Sequence, residues 1–161
     1  MGERLLAVID PARSAGVAPS QLDAQLAQQW TTARTAWPNF ELDQDVWLNA
    51  VAARLSDGDL PSSLARIQAS DLYLALGCAE QHKAALVGFD AQLKTLRPTL
   101  RRAGASPATV DDLLAQLRAR LLVAPAGTPP KVLQYQARAS LASWLRVAAI
   151  RDHGALTRKQ R

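Results

Sequence analysis

A chain of 161 residues, 48% hydrophobic and 20% charged, has enough apolar material to bury a core and too much of it to stay disordered. Nothing in it approaches the roughly 20 uninterrupted apolar residues of a membrane span. The start, MGERLLAVIDPARSAGV, has too short an apolar stretch for a secretory signal, so a cytoplasmic protein is expected.

The periods of apolar residues are helical almost throughout, without strand alternation, and predict an all-α multi-helix bundle. A first helix begins after Pro19 with Ser20 as cap, lines up Leu22, Leu26, Trp30 and Ala33, and stops at Pro38. A second runs from about Leu42 to Leu55, with Val46, Trp47, Ala50 and Val51 inward, and ends at the turn Asp57-Gly58. Pro61 suits the first turn of a short third helix over Ser62 to Ala69. Trp30, Trp37 and Trp47 read as core, because each buries a large apolar area. Asp43, Asp45, Asp57 and Asp59 read as caps and turn formers, with no catalytic pair among them.

Asp71 to Glu80 and Lys83 to roughly Arg102 read as one bent helix or two. Leu86, Phe89, Leu93, Leu96 and Leu100 face inward, Pro98 gives a kink, and Gly104 ends the run. Ser106-Pro107 opens the next helix, whose stripe is Val110, Leu113, Leu114, Leu117, Leu121 and Leu122. Val123 to Gln136, with Pro125, Gly127, Pro129 and Pro130, is expected to be a loop, and loops of about a dozen residues are often functional. A last helix starts near Ser140. Leu141, Trp144, Leu145, Ala148 and Ala149 form its inner face, and Arg138, Arg146, Arg151, Arg158 and Lys159 remain for solvent or phosphate.

Charge divides the chain. Residues 1–70 hold five bases and eight acids (net −3), and residues 71–161 hold fourteen bases and six acids (net +8). From Lys131 to Arg161 there are seven bases and one acid, Asp152. A basic excess gathered on one segment offers a polyanion a docking place, because neutralised phosphates release condensed counterions; a solvated Arg-rich surface is the alternative. The acids Glu41, Asp43, Asp45, Asp57 and Asp59 of the first segment, if near the basic helix, would compete with nucleic acid. The single cysteine excludes an internal disulfide framework, and two histidines exclude the usual zinc sites. Cys78 and His82 stand i, i+4 and would share a helix face, read as a buried structural Cys beside a surface His. With no Gly-rich phosphate loop, metal set or nucleophile–base pair, binding rather than catalysis is expected, without a cofactor.

The order PATVDDLLAQLRARLLV, a proline-containing loop, then YQARASLASWLRVAAIR ending in RKQR resembles the second conserved region of extracytoplasmic-function sigma factors. There an Asp/Glu-Asp-Leu helix is followed by Gly-Ser-Leu-x-x-Trp-Leu and a basic helix. The resemblance spans about Asp71 to Arg161. It is closest to a divergent, myxobacterial-type subgroup with an Ala-, Leu- and Trp-rich helical extension, which matches residues 1–70. It therefore implies a helical N-terminal extension (1–70) and a region-2-like domain (71–161).

In that family the Asp-Asp-Leu helix docks on the clamp helices of the largest subunit of core RNA polymerase. The loop and basic helix engage the minus-ten promoter element, with a non-template base taken out of the stack. Carried over, Asp111, Asp112, Gln116 and Arg120 would contact polymerase, and Tyr135, Arg138, Ser140, Arg146, Arg151, Arg158 and Lys159 would meet promoter DNA. Tyr135 would be the aromatic contact to a base. An anti-sigma factor is a further implied partner. The pattern departs from the family at Ala139, where Gly is usual, at Ala115-Gln116 in place of Gln-Glu, and in few aromatics along the basic helix. The helix-turn-helix that reads the minus-thirty-five element in the family has no counterpart within residues 1–161.

Overall fold

Every regular element of the protein is helical, as seen in a computed structural model that describes residues 1–161. In chain order these are α1 (Gly2–Val8), α2 (Pro11–Ser14), α3 (Pro19–Ala36), α4 (Gln44–Arg54), α5 (Leu60–Ala65), α6 (Ala69–Ala79), α7 (Lys83–Lys94), α8 (Arg97–Arg102), α9 (Pro107–Leu122) and α10 (Leu141–Lys159), with a 3₁₀ turn at Lys131–Gln134 before α10. Short polar side chains start many of them. Asp10, Asp43, Asp59, Ser106 and Ser140 accept backbone N–H bonds from Ala12, Asp45, Ser62, Thr109 and Ser143, which satisfies donors left open in a first turn.

The helix α6 is the centre of the bundle. Leu72 to Cys78 are buried without interruption, so this helix is apolar all round, and α3, α4, α7 and the 3₁₀ turn pack about it. A single core of 38 buried residues extends from Leu5 in α1 to Ala149 in α10. The expected division at residue 70 runs through the first turn of α6, and side chains from both sides of it fill that one core. Apart from α3, the N-terminal helices are too short to stand alone. These and α3 are held by burying Leu22, Leu26, Leu48 and Val51 in the shared interior.

Several element ends differ from the sequence reading, each for a local reason. Ala18, not Ser20, precedes α3; its N–H donates to the Gln21 side chain at 3.1 Å and Pro19 takes the first helical position. The second helix is trimmed to Gln44–Arg54, because Asp43 is its cap. The third starts at Leu60 with Pro61 in its first turn and ends at Ala65, earlier than expected, after the Asp59 cap. The break between α7 and α8 falls at Thr95 and Leu96, and Pro98 lies in the first turn of α8, where a missing N–H costs nothing. The helices α1 and α2 were not anticipated; α1 seats Leu5 in the core beside α3 and α4.

Of the four tryptophans read as core, Trp30, Trp37, Trp47 and Trp144, only Trp47 is fully buried. Trp30 and Trp37 are half-buried; Trp30 lies 5.4 Å from the Trp47 ring and 5.7 Å from Tyr73. The Trp37 indole N–H donates to the Ser70 carbonyl at 3.0 Å, and its ring lies so close over Gly88 that a Cβ there would come within 2.5 Å of Cζ3. Val46, expected inward, is 37% exposed, and Leu48 takes the interior place. Cys78 and His82 share no helix, since α6 stops at Ala79 and His82 precedes α7. Cys78 is buried with its thiol on the Ala85 carbonyl, while His82 stacks on Phe40 and lies 3.0 Å from Glu80.

Candidate functional site

The segment from α9 to α10 carries the residues of interest, and ion pairs fix its geometry. Arg118 grips Asp90 of α7 at 2.6 and 3.3 Å, Arg97 of α8 meets Asp111 at 2.6 Å, and Arg120 meets Asp152 of α10 at 2.9 Å. The forked Arg118–Asp90 contact raises the guanidinium pKa further above its ordinary value. All three pairs are partly exposed and contribute little stability each, but together they tie α9 to α7, α8 and α10.

A groove of about 410 Å³ runs between α9 and α10. Asp112, Gln116 and Arg120 line it from α9, Asp152 and Lys159 from α10, and Leu113 and Leu156 are among its apolar residues. Three of the four residues expected to contact polymerase thus face one groove. Asp111 does not line it, being engaged by Arg97. Lys159, expected to meet DNA, belongs to this groove. Asp112 is exposed and has neither an ion-pair nor a hydrogen-bond partner, whereas Asp90, Asp111 and Asp152 are paired with arginine and Asp71 accepts the Leu141 N–H.

The outward side of α10 has a different character. Val147, Arg151, Gly154 and Arg158 follow at steps of four, three and four residues and so share one face; Arg146 lies to its side, over a hollow lined by Thr95 and Thr99. Arg146, Arg151 and Arg158 are exposed and in no ion pair; Val147 is 57% and Ile150 39% exposed. These two apolar residues were not singled out by sequence, although their spacing among the arginines was visible. No acid of residues 1–70 pairs with an arginine of this face. Helix α10 packs on α7, α8 and α9, while Asp45 pairs with Arg4, Glu41 with Arg34, and Asp43 and Asp59 cap helices.

Two expected DNA contacts are occupied inside the fold. Tyr135 is 1% exposed, and its hydroxyl donates to the Ala139 carbonyl at 2.5 Å. Burial raises the phenol pKa, and the little surface the residue keeps belongs to the lining of the pocket beside Trp144. Ser140 caps α10: its Oγ accepts the Ser143 N–H at 3.1 Å and donates to the Ser143 hydroxyl at 2.8 Å. Arg138 is exposed without an ion pair. Between this loop and α10 lies an apolar pocket of about 290 Å³, with Trp144 and Val147 in its wall and Gln136 and Arg138 at its edge. Trp144, read as core, is half-buried and lies 5.6 Å from the Tyr135 ring.

Sequence reading also passed over Arg54, which lies on the same face of α4 as Trp47, Ala50 and Val51. Its spacing with those apolar residues is the signal that marks it as an interior arginine. Comparison with known proteins found no matching family, no similar curated protein and no similar solved structure.

Proposed function

We propose that this chain is a sigma-type domain that binds core RNA polymerase and minus-ten promoter DNA during transcription initiation, and that it acts by binding, without catalysis. The observation that carries the reading is the outward side of α10, where three exposed, unpaired arginines accompany the exposed Val147 and Ile150 beside the pocket at Trp144. Unpaired guanidinium groups gain most from phosphate, because no internal carboxylate must be displaced. An apolar pocket with polar edge groups suits an unstacked base, and Trp144 with Val147 takes the part first assigned to Tyr135. The α9–α10 groove around Asp112, Gln116 and Lys159 is the polymerase-facing side. The sequence resemblance from Asp71 to Arg161 supplies the identity of both partners.

A second reading is an adaptor that keeps the polymerase contact without promoter recognition. The burial of Tyr135 favours it, because base stacking is then left to the half-buried Trp144 alone. A pull-down with core polymerase, run beside a gel shift on single-stranded minus-ten DNA, separates the two. The sigma reading expects both interactions, the adaptor reading only the first.

A further inference from the structure

From the 3₁₀ turn to the first residue of α10 the chain is tied to the end of α4 and the start of α6, at Leu133, Tyr135, Ala137 and Leu141. Arg54, at the end of α4 and 8% exposed, donates from Nη2 to the Leu133 carbonyl at 2.6 Å, from Nε to the Tyr135 carbonyl at 2.7 Å and from Nη1 to the Ala50 carbonyl at 3.0 Å. The Gln68 N–H donates to the Ala137 carbonyl at 2.7 Å, and Asp71 accepts the Leu141 N–H at 2.7 Å. The side chains of residues 133–138 alternate. Leu133 is half-buried and Tyr135 and Ala137 are buried, whereas Gln134, Gln136 and Arg138 between them are exposed.

Two features mark this as an imposed conformation. Ala137 has φ +56°, a left-handed backbone that non-glycine residues adopt only where the surroundings hold them there. Arg54 has no carboxylate partner, and burial lowers its pKa from the ordinary value, so the guanidinium is desolvated in exchange for carbonyl contacts alone. The Gln136 carboxamide donates to the Gln134 carbonyl at 3.0 Å, which fixes its orientation at the edge of the Trp144 pocket and leaves its oxygen free to accept.

We propose that Gln134, Gln136 and Arg138 form a rigid polar ladder that contacts nucleic acid together with the α10 arginines, and that Arg54 is the positioning residue that holds it. This rests on the nucleic-acid reading of α10. Carboxamides both donate to and accept from base edges, and a guanidinium meets phosphate or guanine. The N-terminal segment then has a binding role without touching the ligand. It fixes the backbone from which the contacts project, so they are made at a small cost in chain ordering.

The test uses the full chain and a labelled single-stranded minus-ten oligonucleotide, read by anisotropy, beside amide hydrogen exchange and melting. Gln134→Ala with Gln136→Ala should weaken binding roughly tenfold, leave the slope of log affinity against log salt unchanged and leave the melting curve unchanged. Arg54→Lys keeps the charge and loses the fork. It should accelerate exchange at residues 133–139 ahead of the rest of the fold and weaken binding by at least the same factor. Wild-type affinity in the double glutamine variant, or in a folded Arg54→Lys protein whose loop exchanges faster, overturns the ladder. Unchanged loop exchange in Arg54→Lys overturns the brace. If the wild-type chain binds no DNA, the nucleic-acid reading of α10 falls, and with it the ladder, while exchange still decides whether Arg54 braces the loop.

Discussion

Replacing Arg146, Arg151 and Arg158 together with alanine separates a binding face from a solvated one. All three are exposed and unpaired, so their removal strands no buried partner, and stability should change by no more than about 0.5 kcal/mol for each. Each phosphate contact on a single strand contributes about 0.7 to the slope of log affinity against log salt, so three contacts contribute about 2. Between about 50 and 200 mM salt the wild-type protein should therefore lose some 16-fold more affinity than the triple variant. Anisotropy titrations with a minus-ten oligonucleotide at four salt concentrations measure both slopes, and melting curves confirm that the fold is intact. Equal slopes refute the assignment of this face to phosphate, whatever happens to affinity at a single salt concentration.

The buried acids of the core make alkali a second test. Burial pushes the Cys78 thiol up to about 12 and also raises the Tyr135 phenol. A raised folded-state pKa contributes stability that is complete below the unfolded value and lost as pH climbs toward the folded one. The unfolding free energy, read by urea unfolding, should hold up to about pH 9 and then fall by at most about 1.4 kcal/mol per pH unit for each group; Cys78→Ala should flatten the fall, and an unchanged curve would contradict the burial argument. For the same reason a thiol reagent at pH 8 should label Cys78 only on unfolding; rapid labelling of the native protein would refute it. Gly88→Ala drives a methyl against the Trp37 ring and should destabilise the fold by about 1–3 kcal/mol, read by urea unfolding; a neutral result would mean that the ring swings away freely.

Helix content and the apolar stripes were legible because a period of 3.6 residues is a local property. The stripe of α9, Val110 to Leu122, is buried at every expected position. The central burial of α6 was less visible, since a short run such as Leu72 to Cys78 has no polar face to orient it. Aromatic residues misled most. Trp30 and Trp37 look like core by type, yet they lie at the edge of the bundle, and Tyr135 looks like a loop aromatic offered to a base, yet the loop folds back and buries it. That return depends on Arg54, Gln68 and Asp71, which are distant in sequence, and local reading has no access to such contacts. At the site, the α10 arginines could be read from their spacing. The assignment of Lys159 to the α9 groove, and of Asp111 to Arg97, required the packing of α8, α9 and α10.

The central claim is that this chain binds core RNA polymerase, and titration of labelled chain with core enzyme tests it most directly. Asp112 is exposed, unpaired and in the α9–α10 groove, so Asp112→Lys reverses charge there without disturbing the fold. The account predicts saturable binding by the wild-type chain, and its loss in Asp112→Lys with the melting temperature unchanged within a few degrees. Absence of wild-type binding, or equal binding by Asp112→Lys, would contradict it.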